Sequence, residues 1–163
     1  MLRGRARSRR RRSALDAPAP AEAHVAILVD TNALLHALLA PAKLSPRARA
    51  VLADRANELV WSTASTWEVV LKARLGKLDL GGDVATILGR EIVRFGLRVL
   101  PIEQTHCLRI ASLPDVEWVD AKGVSQRHAD PFDRLLVAQA LVEDLPILTA
   151  DALFERYAVR RLW

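Results

Sequence analysis

Val25-Ala26-Ile27-Leu28-Val29-Asp30 is the stretch on which the reading of this chain turns: five apolar residues in a row, delivered to an aspartate. A short unbroken apolar run of this kind suits a strand buried on both faces. A second run, Ile147-Leu148-Thr149-Ala150, ends at Asp151. In open parallel sheets, ligand sites form outside the carboxyl ends of the strands, so two strand-end carboxylates point at one crevice. Glu68 and Asp133 complete a set of four acids that a parallel α/β chain would converge. Carboxylates packed together repel, and a bound divalent cation or a raised pKa resolves the repulsion.

Outward from these runs, the pattern alternates. A strand over 25–30 is followed by an apolar helix over Thr31 to Leu39, stopped by Pro41. Ser45-Pro46, an N-cap with proline at the first helical position, opens a helix to about Asn57. Leu59 to Ser62 is a short strand, and Thr63 to Leu75 a helix with Gly76 as its stop. Gly81-Gly82-Asp83 opens a helix in which Val84, Ile87, Leu88, Ile92 and Phe95 recur at helical spacing, ended by Gly96. Leu97 to Ile102 is a strand, and Glu103 to Leu113 a helix that carries Cys107 as a small core residue. Residues 114–129 show no period and are expected to form a long loop. Asp130-Pro131 starts a strong helix to about Asp144. A strand over Pro146 to Thr149, a short helix over Ala152 to Tyr157 and a strand over Val159 to Trp163 finish the chain. Strands alternating with helices predict α/β architecture: one domain over 25–163, with a central parallel sheet of about five strands flanked by helices.

Length and composition agree with that reading. The 163 residues are enough to bury a sizeable core, and 51% hydrophobic with 26% charged residues is ordinary for a globular protein. No apolar stretch approaches the roughly 18–20 residues of a membrane span. The single cysteine excludes an internal disulfide and any cysteine-built metal cluster, which suits the cytoplasm.

The net charge of +5 is unevenly spread. Seven arginines and no acid lie within residues 1–12, leaving 17 basic against 19 acidic residues in the rest of the chain. With the Ala/Pro-rich stretch that follows, residues 1–24 are expected to be a disordered extension. Its chemistry suits attachment to nucleic acid, and an incidental extension is the alternative. A secretory signal is not expected, because no apolar segment follows the arginines.

Each acid also has a plain structural use. Asp30 suits an N-cap for the helix beginning at Thr31. Glu68 ends a capping-box pattern, Ser65-Thr66-Trp67-Glu68, and stands four residues before Lys72, a favourable helical pair. Thr63 and Ala64 are expected to lie already in that helix, which leaves Glu68 on its second turn. Asp130 before Pro131 is an N-cap, so Asp133 is the member of that pair assigned to the site. Asp151 suits a turn.

The combination of the four, in this order, resembles the PIN-domain ribonucleases, in particular VapC-type toxins of toxin–antitoxin pairs. Val-Asp-Thr-Asn-Ala-Leu-Leu at 29–35 is similar to the family's first strand and opening aspartate. Ser-Thr-Ala-Ser-Thr-Trp-Glu-Val-Val-Leu-Lys at 62–72 is similar to its second acidic motif. Asp-Pro-Phe-Asp-Arg-Leu-Leu-Val-Ala-Gln-Ala at 130–140 and Ile-Leu-Thr-Ala-Asp at 147–151 resemble the third and fourth. Singly these motifs are weak; four in order over one domain are strong. The resemblance implies a PIN-like nuclease domain whose catalytic, metal-binding acids are Asp30, Glu68, Asp133 and Asp151, with Asp130 as a supporting fifth. Thr149, Thr31 and Ser62 match hydroxyl positions that order such a site. The stretch from Asp115 to Arg127 is longer than the family pattern before its third motif.

An all-carboxylate set selects hard cations, Mg²⁺ or Mn²⁺. The activity implied is metal-dependent hydrolysis of RNA phosphodiester bonds. Lys72, Arg74, Lys77 and Arg134 are the cations placed to meet RNA phosphates, and solvated helix faces or ion pairs are their plain alternative. Trp67 and Trp118 have the chemistry to stack on bases, but Trp67, beside Glu68, is expected in the core with Trp61 and Trp163. His106 and His128 lack ligand-type spacing and are assigned no role. Ala33-Leu34-Leu35 with Leu38-Leu39 leaves apolar area on a short helix, and the resemblance implies a homodimer and a small antitoxin as partners. Three other readings remain open. A haloacid-dehalogenase-like phosphatase also opens on a strand-end aspartate, but would want a second one where this chain has Asn32. A receiver domain would place its acceptor after a middle strand. A catalytically silent RNA- or protein-binding module would keep the fold without metal-dependent activity.

Overall fold

The computed structural model describes residues 25–163. The Arg-rich segment expected to be disordered lies outside these residues. Five parallel strands form the sheet: β1 (Ala26–Val29), β2 (Glu58–Ser62), β3 (Arg98–Leu100), β6 (Ile147–Leu148) and β7 (Arg161–Leu162), in the order β3-β2-β1-β6-β7. This is the architecture expected from the alternating pattern. The chain builds outward from β1 to β3 on one side, then returns to lay β6 and β7 on the other. The order therefore reverses at β1, and the crevice at the carboxyl ends of β1 and β6 is the topological switch point.

Side chains along each strand alternate between two covered faces. Ile27, Val29, Leu59, Trp61 and Leu148 pack on one side with residues of α1 (Thr31–Leu39), α3 (Thr63–Arg74) and α4 (Val84–Phe95). Leu28, Val60 and Ile147 pack on the other with Leu136, Val137 and Ala140 of α6 (Pro131–Val142) and with Phe154 and Tyr157. The continuous apolar runs of β1 and β6 are required by this two-sided burial. Trp61 is fully buried, and its indole N–H donates to Thr66 Oγ1 at 2.9 Å. Trp163 packs against the same cluster. Most of the apolar area on α1 is used in this way: Ala33 and Leu34 are buried, Leu35 and Leu38 are partly so, and Leu39 is exposed.

Helix ends follow the local chemistry. Ser45 caps α2 (Pro46–Ala53) through Ala48 N, Asp83 caps α4 through Thr86 N, and Asp130 caps α6 through Phe132 N and Asp133 N. Gly96 ends α4 at φ 62°, a left-handed conformation that a side chain would strain.

Two expectations are corrected here. Residues 114–129 are not a featureless loop: β4 (Glu117–Val119) and β5 (Ser125–Arg127) pair antiparallel, and His128 N extends the ladder to Val116 O at 2.8 Å. Asp120 Oδ1 accepts from Lys122 N and Val124 N to close the turn, with Gly123 at φ 79°. Both strands are exposed, so no buried face marks them with alternating hydrophobicity. Cys107 is exposed rather than core, and its neighbour His106 is the buried residue on α5 (Gln104–Ile110). His106 Nδ1 accepts from Glu103 N at 3.0 Å and Nε2 meets Glu143 Oε1 at 3.0 Å, which fastens α5 to the end of α6.

Candidate metal centre

Asp30 emerges from β1 into the switch-point crevice. Its backbone N–H donates to Leu148 O at 3.0 Å, which locks the end of β1 against β6. It stands at the N-cap of α1, yet its side chain forms no cap hydrogen bond, and it is 2% exposed. Instead Oδ2 accepts from Thr149 Oγ1 at 2.8 Å. The Thr149 hydroxyl in turn accepts from Asp151 N at 3.1 Å, so one buried hydroxyl orders two of the acids. Burial pushes the Asp30 carboxyl up to about 7; Thr149 opposes the shift, while Asp133 and Glu68 add to it.

Asp133 lies in the first turn of α6, presented there by the Asp130 cap. It too is pushed up to about 7, by burial first and then by the charges of Asp130, Glu68 and Asp151, against Lys72. Glu68 sits on the second turn of α3, because the cap of that helix is Ser62, whose Oγ accepts from Ala64 N at 2.9 Å. The capping-box use of Glu68 is thereby excluded. Glu68 is 6% exposed and paired with Lys72 at 2.6 Å. Asp151 caps the 3₁₀ turn Ala152–Tyr157 through Leu153 N at 2.8 Å, leaving Oδ2 free to face the crevice.

Ser62 also donates to Gln139 Oε1 at 2.5 Å, and Gln139 Nε2 donates to Pro101 O at 3.2 Å. This buried network joins the start of α3, the middle of α6 and the end of β3. It holds Glu68 and Asp133 in fixed relation, since a buried polar group left unpaired would cost about 1–3 kcal/mol.

The expected cations divide. Lys72 stands at the acids, whereas Arg74 and Lys77 are exposed at and just beyond the end of α3. Arg134 donates to the Ile110 and Pro114 carbonyls at 3.5 Å and lies against Tyr157. Trp67 corrects its expectation: it is 58% exposed, with its ring edge-on to Phe132 at 5.0 Å between centroids. Each aromatic immediately precedes a site acid, Glu68 or Asp133.

Spacing gives His128 no role, but the fold brings it to the acids. It leaves β5 and enters the crevice 94% buried, as its 6% exposure shows, with Nε2 3.1 Å from Asp133 Oδ2 and 3.9 Å from Asp151 Oδ2. Nδ1 meets the Tyr157 hydroxyl at 2.8 Å. The one available sequence signal was position, two residues before the Asp130 cap and hence beside the N-terminus of α6.

The residues fit a hard divalent cation. Two carboxyls are held near neutral pKa by burial and mutual repulsion, and oxygen donors dominate. The buried Thr31 hydroxyl, next to Asp30, has no hydrogen-bond partner. His128, Asp133 and Asp151 can each offer a ligand atom, all within 4.8 Å of one another.

Among solved structures, the chain is similar in fold to one from "VapBC2 from Rickettsia felis bound to a DNA fragment from their promoter", with TM-score 0.58 and 13% identity, covering 85% of this chain and 100% of that one. It is likewise similar to a chain of FitAcB from Neisseria gonorrhoeae, with TM-score 0.53 and 19% identity, covering 83% and 95%. No curated protein matches it in sequence. The family model for the PIN domain matches residues 27–160, which take in four of the five sheet strands, both covering layers and all four acids, and the chain therefore belongs to the PIN-domain family.

Proposed function

We propose that this protein is a divalent-metal-dependent endoribonuclease and the toxin of a toxin–antitoxin pair. The observation that carries the reading is the convergence of Asp30, Glu68, Asp133 and Asp151 on one crevice, with two of the four carboxyls raised to about 7. Membership of a nuclease family supports it.

Asp30 and Asp133 would hold Mg²⁺ or Mn²⁺, with Asp151 beside them to join directly or through water. When bound, the cation supplies Lewis acidity toward water and phosphate oxygens. Glu68 orients the attacking water in line with the bond to be cut, and Thr149 holds Asp30 and the Asp151 turn in register. Water adds to phosphorus as the P–O3′ bond breaks, leaving a 3′-hydroxyl and a 5′-phosphate. Lys72 contacts a phosphate beside the acids, Arg74 and Lys77 meet the strand further along α3, and exposed Trp67 offers a face to an unpaired base.

The fold likeness to a chain of VapBC2 supports a small antitoxin as partner. An antitoxin arginine entering the crevice would pair with the acids and compete with the cation. Exposed Trp67, Val70, Leu71 and Leu75 on and just after α3 supply apolar surface for such a partner or for a homodimer. No helix among the described residues is long and apolar enough to cross a membrane; the single cysteine is what favours the reducing cytoplasm as its compartment.

The test is cleavage of a mixed RNA pool by purified protein with Mg²⁺, Mn²⁺ or chelator, beside Asp30→Ala. Metal-dependent cutting with 5′-phosphate ends, lost in the variant, is the expected outcome. A 2′,3′-cyclic phosphate end would overturn the mechanism. Absence of cutting of any RNA under every metal would favour a binding module.

A further inference from the structure

We propose that His128 is itself a ligand of the cation, so that His128 Nε2 joins Asp133 and Asp151 in a mixed imidazole–carboxylate set around the same ion that Asp30 holds. This rests on the metal-dependent reading above and specifies which atoms hold the metal and which ion they favour.

The three groups arrive from separate elements: the exit of the β4–β5 hairpin, the first turn of α6 and the turn after β6. Their spacing suits one ion. Ligand atoms about 2.1 Å from a metal lie roughly 3 Å apart when adjacent and roughly 4 Å apart when opposite. The Nε2 distances to Asp133 and Asp151 oxygens are 3.1 and 3.9 Å.

The imidazole is built into place rather than left to sample. Nδ1 meets the Tyr157 hydroxyl at 2.8 Å, and the rings of Phe154 and Tyr157 pack against it with centroids 6.0 and 5.6 Å away. Tyr157 is 3% exposed and Phe154 fully buried, so the support is rigid. A ligating histidine whose other ring nitrogen is engaged by a fixed partner is the usual arrangement of metal-binding imidazoles. The Tyr157 hydroxyl can accept from Nδ1–H while itself donating toward His128 O, 3.4 Å away. That leaves the Nε2 lone pair facing the two carboxylates, an arrangement that a cation between them stabilises. The imidazole changes the choice of metal: all-oxygen sets suit Mg²⁺, whereas imidazole strengthens binding of Mn²⁺ and later transition ions. The competing use of the same geometry is a hydrogen bond from Nε2–H to Asp133 that orients the carboxylate without touching metal.

Pulsed electron paramagnetic resonance of Mn²⁺ bound to the full-length, untagged protein separates these uses, because a ligating imidazole adds ¹⁴N modulation to the Mn²⁺ echo. The wild-type protein is expected to show it and His128→Gln to lose it, with the Mn²⁺-over-Mg²⁺ binding preference falling about tenfold or more. Tyr157→Phe is expected to keep the modulation while weakening Mn²⁺ binding. Mn²⁺ bound without ¹⁴N modulation in the wild type would overturn the role of His128 and leave the metal-dependent reading standing. No Mn²⁺ binding at all would overturn both. The wild-type spectrum alone decides the matter if the glutamine variant does not fold.

Discussion

Asp30 and Asp83 stand at the same helical position with nearly the same backbone and do opposite things. Asp30, before α1, has φ −66° and ψ 148°; Asp83, before α4, has φ −64° and ψ 120°. Asp83 is exposed, its carboxylate accepts from Thr86 N at 2.8 Å, and its hydrogen bonds to Thr86 hold its pKa below the usual carboxylate range. Asp30 is buried, makes no cap hydrogen bond, and is raised to about 7. One aspartate favours its helix. The other is retained at a cost to the fold, which is what a carboxylate held for a ligand looks like.

The strongest way to break the comparison is Asp30→Asn. It keeps an oxygen to accept from Thr149 but removes the buried charge. RNA cutting is expected to fall by more than about a hundredfold, since a direct ligand matters at least as much as its supports. The metal-free fold is expected to gain stability above pH 7 by about 4 kcal/mol at most, since burial raises this carboxyl from 3.8 to about 7. Urea unfolding beside the cleavage assay reads both. A destabilised, inactive variant would mean that Asp30 serves the fold.

The pH profile sharpens the same point. Below the ordinary pKa of 3.8, Asp30 and Asp133 are protonated in folded and unfolded chains alike. Between that value and about 7 the unfolded chain releases these protons while the folded chain keeps them, so their contribution lowers stability as pH rises. Above 7 the loss is complete. Melting of metal-free protein is expected to shift downward across this window, less so in Asp30→Asn, and a flat difference between the two proteins would contradict the raised carboxyl.

Thr149→Val tests the support beneath Asp30. It strips the donor from Asp30 and leaves Asp151 N without its acceptor; activity is expected to drop about ten- to hundredfold, with about 1–3 kcal/mol of stability lost. Trp67→Ala should leave stability nearly unchanged, the side chain being 58% exposed, while weakening binding of single-stranded RNA by about 1–3 kcal/mol if one base stacks there. Unchanged RNA affinity would reassign that surface to a protein partner. Asp83→Ala, the control, is expected to lower the melting temperature slightly and leave cleavage untouched.

How far the residues could be read without coordinates depended on whether the information was local. Asp130-Pro131, Ser45-Pro46 and Gly96 mark helix ends through their own backbone chemistry, and these ends stand where they were expected. The apolar runs of β1 and β6 are buried on both faces through their centres, Ile27 to Val29 and Ile147 to Leu148, so the parallel sheet follows from them. The exposed hairpin over 117–127 leaves no period in the sequence because neither strand has a buried face. Cys107 faces solvent and His106 the core because adjacent residues of a short helix differ by about 100° in direction, and only packing against α6 picks the inward one.

Taken alone, the sequence determined the α/β layering, the delivery of Asp30 and Asp151 to strand ends, and the caps that carry Asp133 into a first helical turn, because each is set by hydrophobic period or by hydrogen bonds within a few residues. Tertiary structure alone decided that Asp30 goes uncapped, that Thr149 joins two acids, that Trp67 faces solvent, and that His128 meets Asp133 and Asp151. Those outcomes depend on where β6, α6 and the hairpin exit come to rest against one another, and no spacing along the chain records a contact made across it.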